Sequence, residues 1–134
     1  MTYLAFVLDQ PSVQKLLEFY PPKFPIIHGH HVTIFFPKNK IEYQIIKNLF
    51  EQYKRVTSIE VLHERVNSAS QCVAVKFNGD LIQSGDLIRS DDSFYHITIS
   101  HEKFTKPSFS NFLKEEDKTV SHVLQLSGTV QFLN

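Results

Sequence analysis

Two short runs constrain this chain more than any other feature. His31-Val32-Thr33-Ile34-Phe35-Phe36 is echoed 65 positions later by His96-Ile97-Thr98-Ile99-Ser100-His101. Each sets a histidine two places before a threonine, with an aliphatic residue between them. In a strand, residues two apart share a face at a spacing of roughly 6.5 Å. The first run therefore predicts His31, Thr33 and Phe35 on one face, with Val32 and Ile34 in the core. The second predicts His96, Thr98 and Ser100 on one face, with Tyr95, Ile97 and Ile99 behind. Both runs demand a sheet with an apolar layer on one side and an imidazole beside a hydroxyl on the other.

The rest of the chain supplies such a sheet. Tyr3 to Leu8 reads as a strand ended by Asp9-Gln10-Pro11. Pro11 suits an early helical position with Asp9 or Gln10 at the cap, and Val13, Leu16, Leu17 and Tyr20 then share a helical face. Pro21-Pro22-Lys23-Phe24-Pro25 reads as a stiff extended connector, because proline removes backbone donors and restricts its predecessor. A strand follows from His30 to Phe36. Ile41, Ile45, Ile46, Leu49, Phe50 and Tyr53 are spaced as an amphipathic helix. Val56 to Val66 and Gln71 to Phe77 read as a hairpin turning at Asn67-Ser68-Ala69-Ser70. Asn78 to Ser93 reads as a long polar loop, Phe94 to Ser100 as a strand and Ser108 to Leu113 as a short helix. Val123 to Leu126 and Thr129 to Leu133 form two closing strands or one strand bent at Gly128. About seven strands against two helices predict an α+β domain with a mostly antiparallel sheet.

Composition narrows the function classes. At 134 residues, with 42% hydrophobic residues and twelve Phe, the chain fits one globular domain, 1-134. Lys and Arg balance Asp and Glu at fourteen each, so long nucleic acid bound by counterion release is not expected. A small phosphate ligand or a nucleic-acid end is compatible with neutrality. Cys72, the one cysteine, lies in the apolar run Cys72-Val73-Ala74-Val75 and is expected to be an inert buried thiol. No run approaches the ~20 apolar residues of a membrane span, and MTYLAFVLDQ lacks a secretory pattern. These features predict a soluble, cytoplasmic protein without membrane contact, and a monomer.

If the two motif strands meet, two imidazoles and two hydroxyls converge. An imidazole with an unperturbed pKa near 6.5 serves as base on one side of a reaction and, protonated, as acid on the other. Hydroxyls can hold the non-bridging oxygens of a phosphoryl group between them. The arrangement suits in-line displacement at phosphorus with no cofactor and no metal. It equally suits capture of a phosphate without turnover.

His31-Val32-Thr33 and His96-Ile97-Thr98, each in a hydrophobic strand and half a chain apart, resemble the two-histidine (2H) phosphoesterase superfamily, defined by two such motifs. Asp92-Ser93-Phe94-Tyr95-His96-Ile97-Thr98 is similar to the loop-into-strand of its small RNA-repair members. The resemblance implies two pseudo-symmetric lobes, each giving one motif strand to a central cleft. It also implies His31 and His96 as acid and base, with Thr33 and Thr98 as phosphate holders. The substrate would be a 2′,3′-cyclic phosphate, an RNA end, or a 2′,5′-linked or cyclic oligonucleotide. One departure stands out: many members carry a long helix before the second motif, where this chain has the polar segment 78–93.

Other residues are weaker candidates. Phe35 could stack on a base and Ser100 could extend the hydrogen-bonding face. Lys38 and Lys103, just past the motif strands, could meet phosphate charge, although each alone reads as an ordinary solvated lysine. His28-Gly29-His30-His31 lacks Cys partners, and strand alternation would set His30 and His31 on opposite faces, so it is not taken as a zinc site. His101 is expected at the surface on the face opposite His96. His63 and His122 carry no motif.

Overall fold

The computed structural model describes residues 2–78, 94–107, 110, 113, 117 and 123–134. The expectations for the segment 79–93, for most of 108–113 and for His122 lie outside them. The elements run β1 (Tyr3–Leu8), α1 (Gln10–Phe19), β2 (Ile26–Ile27), β3 (His31–Phe35), α2 (Lys40–Tyr53), β4 (Ser58–Val66), β5 (Ser70–Phe77), β6 (His96–His101) and β7 (Leu124–Leu133). The fold is α+β. Among the described residues seven strands, all paired antiparallel, lie in the order β2-β6-β5-β4-β7-β1-β3.

Local chemistry sets the element ends. Asp9 caps α1 by accepting the Ser12 amide, and Pro11 occupies the first turn, where its missing N–H costs nothing. Asn39 caps α2 by accepting from the Glu42 amide at 2.9 Å, while its own amide donates to the Glu42 carboxylate. Asn67 makes the β4–β5 turn, its side-chain oxygen accepting from the amides of Ala69 and Ser70.

One face of the sheet carries the main core: Leu4, Phe6, Val32, Ile34, Ile59, Val61, Val73, Val75, Ile97, Ile99 and Leu126 are buried beneath the helices. Leu16 of α1 and Ile46 of α2 close it. A smaller cluster of Cys72, Ala74, Phe94 and Leu113 lies apart from it.

Three connections bring the ends of this sheet together. β7 is one long strand, its first half paired with β4 and its second with β1. It passes between them at Gly128, where a Cβ would stand 2.1 Å from the Val7 carbonyl oxygen, so only glycine fits. At the opposite side, β2 pairs with β6 and β3 pairs with β1, although only His28-Gly29-His30 separates them. The His28 amide donates to the Ile99 carbonyl and the Leu8 amide to the His30 carbonyl. This three-residue link, with Gly29 at φ +97°, ties one sheet edge to the other. Third, the proline connector is held by buried side chains: the amides of Lys23 and Phe24 donate to the Ser100 hydroxyl, and the Gln71 side chain donates to the Pro21 carbonyl. Among the described residues, no helix is long and apolar enough to cross a membrane.

Candidate active site

The short link forces β3 and β6, at different positions along the sheet, into contact. That contact joins the two motif strands, and charge on His96 disfavours charge on His31. His31 is held down to about 4, chiefly by burial and then by the neighbouring His30, His28 and His96. It is therefore neutral at pH 7 and able to take a proton. His96, 8% exposed, donates from Nδ1 to the Phe94 carbonyl at 2.9 Å, which fixes the ring's tautomer. The Phe94 ring lies 5.0 Å from the His96 ring and carries the Arg65 guanidinium 4.2 Å above its centre.

The register explains which neighbours share the site. Along β3, Val7 faces His31, Phe6 faces Val32 and Ala5 faces Thr33, but the next residue, Leu4, faces Phe35. Along β6, Ala74 faces His96, Val73 faces Ile97 and Cys72 faces Thr98, but the next, Gln71, faces Ser100. Each motif strand thus has one extra residue, Ile34 or Ile99, directly after its threonine. Such a bulge reverses the alternation beyond it.

Those bulges correct two expectations. Phe35 turns to the side of Leu4 and packs against the main core rather than standing free to stack on a base. Ser100 is fully buried, donates to Gln71 at 2.6 Å and accepts from the proline connector, so it is a structural anchor and not a substrate contact. Thr33 and Thr98, before the bulges, remain half-buried beside their histidines. The Thr98 hydroxyl donates to the Pro107 carbonyl at 3.2 Å and meets the Ser110 hydroxyl at 3.0 Å. Lys38 and Lys103 are both exposed beyond the strand ends.

The same reversal carries His101 opposite Ser70, on the side of Cys72, where it is buried and not at the surface. Its ring stacks on His28 at 5.0 Å, with the two Nε2 atoms 3.0 Å apart. His28 lies 6.0 Å edge-on from His30, and His30 stacks on His31 at 4.6 Å with their Nδ1 atoms 2.7 Å apart. His30 precedes β3, so strand alternation does not govern it and the expected opposition of His30 and His31 fails. Four imidazoles form a row ending at His31. Among the described residues, no group of three or more His, Cys, Asp or Glu is arranged to hold a metal ion.

Tyr3, whose ring is 5.9 Å from His31 and 5.2 Å from Phe36, completes the wall. Burial raises its hydroxyl above the ordinary value, which keeps it protonated. Its place beside His31 depends on the β1–β3 pairing and had no signal in the sequence; the repeated histidines of the link did. Behind Thr98, Cys72 is fully buried and its thiol is pushed far up by desolvation, which makes it unreactive. Compared with known proteins, the chain matches no family model, no curated protein and no solved structure.

Proposed function

We propose that the protein is a phosphodiesterase in which His31 and His96 act as general base and acid at one phosphorus. The substrate class is a 2′,3′-cyclic phosphate or a related RNA-end or oligonucleotide linkage. In the hydrolysis, one imidazole takes a proton from water as its oxygen bonds to phosphorus. The ester bond to the leaving ribose oxygen breaks, and the other imidazole protonates that oxygen. Both proton transfers are served by side chains, so the step requires no metal. Thr33 and Thr98 would hold non-bridging oxygens, a phosphate oxygen taking the hydrogen bond that Thr98 now gives to Pro107.

The observation that carries this reading is the contact of β3 with β6, which joins the two motif strands although their histidines are 65 positions apart, with charge on His96 disfavouring charge on His31. Core packing gives no reason to bury two such groups near each other. The two-lobed, pseudo-symmetric arrangement of a 2H phosphoesterase is supported by the matching bulges, each one residue past the threonine of its motif. It is supported too by β7, which gives its two halves to the sheet regions bearing His31 and His96.

The test is incubation with 2′,3′-cyclic nucleotides, 2′,5′-oligoadenylates and cyclic oligonucleotides in EDTA, with products read by mass spectrometry and phosphorus NMR. Turnover that survives the chelator and is lost in His31→Ala and His96→Ala is expected. Tight binding without turnover would instead assign the cleft to phosphate capture, and full activity in either variant would remove the proposal.

A further inference from the structure

We infer that His31 is the base and His96 the acid, and that His30 is the positioning residue that commits them to those roles. This rests on the reading above and goes beyond it, because the two motifs are alike and by themselves leave the order open.

The argument begins with the partner of each Nδ1. A carbonyl only accepts, so the Phe94 oxygen, 2.9 Å from His96 Nδ1, keeps a proton there in every state. A proton that His96 gives to a leaving oxygen must therefore come from Nε2. His31 has a different neighbour: its Nδ1 lies 2.7 Å from His30 Nδ1, and one of the two must accept. With His30 accepting, the His31 proton sits on Nδ1 and the Nε2 lone pair is free for a proton from water.

The surroundings keep His31 in that form. From the link it faces His28 and His30, from β6 His96, and from β1 the raised hydroxyl of Tyr3; His101 follows behind His28. Each of those imidazoles can bear positive charge and none can bear negative charge. A proton on His30, His28 or His96 disfavours a proton on His31, and burial disfavours it further. His30 is exposed and reaches solvent, so it can pass on the proton that His31 collects. The leaving oxygen carries away the His96 proton, the proton taken by His31 leaves through His30, and a proton from solvent restores His96.

The experiment pairs His30→Ala, which removes both charge and acceptor, with His30→Gln, which keeps an acceptor that does not titrate. In the alanine variant the acidic limb of kcat/KM should rise by about one pH unit or more and kcat should fall about tenfold. The glutamine variant should recover kcat while its limb stays raised. A merely structural role would lower activity without moving the limb, and a limb unmoved in both variants overturns the inference. Role order is read separately with bis(4-nitrophenyl) phosphate, whose leaving group needs no acid. His96→Ala should regain at least tenfold on it relative to a ribose leaving group and His31→Ala should not; the reverse overturns the assignment. Titration of the His31 ring by NMR in wild type and His30→Gln needs no substrate. If no phosphodiester is turned over, the functional reading fails on its own, while an unshifted His31 titration still refutes the role of His30.

Discussion

Acidification should destabilise this protein through His31, His28 and His30 before its carboxylates protonate. His31 is ordinarily protonated below 6.5 but only below about 4 in the fold. The unfolded chain therefore binds more protons between those values. Stability from this group is intact above about pH 6.5, declines as the pH falls, and levels off below about 4. A shift of about 2.5 units has a ceiling near 3.4 kcal/mol at 1.36 kcal/mol per unit. His31 is only half-buried, and solvent screening reduces the effect to about 1–2 kcal/mol. His28 and His30 are also held low, desolvation first in each case, and act in the same direction. The assay is urea unfolding at pH 7, 5.5 and 4.5 for wild type and His31→Gln, whose difference cancels the titration of every other group. The wild type should lose about 1–2 kcal/mol more than the variant across that range. Parallel stability curves would refute the claim that the fold keeps His31 neutral.

Two further substitutions test the frame. Ser100→Ala deprives the Phe24 amide of its acceptor and Gln71 of a donor, and should cost about 1–3 kcal/mol in urea unfolding. Turnover measured well below the melting temperature should persist, whereas a selective loss of phosphate affinity would return Ser100 to the substrate contacts. Gly128→Ala drives a Cβ against the Val7 carbonyl and should cost at least about 2 kcal/mol in thermal unfolding; a neutral result would mean that β7 does not cross from β4 to β1 as tightly as described.

The elements were legible wherever one period governed a segment. Tyr3–Leu8 and the helix over Ile41 to Tyr53 stand where their apolar spacing puts them, and β7 is the single long strand at Gly128. Ile26–Ile27 escaped notice because two residues carry no period; its identity comes from pairing with β6. The motif residues His31, Thr33, His96 and Thr98 were legible for the same reason, since alternation holds up to each threonine. It fails one step later. A bulge depends on what the partner strand can accommodate, and nothing in Thr-Ile-Phe or Thr-Ile-Ser announces it. Phe35, Ser100 and His101 were misplaced by that single cause, the first two lost from the site and the third gained. The closure that joins β3 to β6 is a property of sheet order, set by contacts far apart in sequence. His28-Gly29-His30-His31 was visible as a cluster, but its meaning required His101, 70 residues or more away.

The central claim is that two imidazoles work on one phosphorus, and single-turnover kinetics on a 2′,3′-cyclic nucleotide in EDTA tests it most directly. Wild type should form a single phosphomonoester product, with His31→Ala and His96→Ala each slowed about 10²-fold or more while their unfolding transitions stay cooperative. Either variant hydrolysing the ring at the wild-type rate would contradict the account.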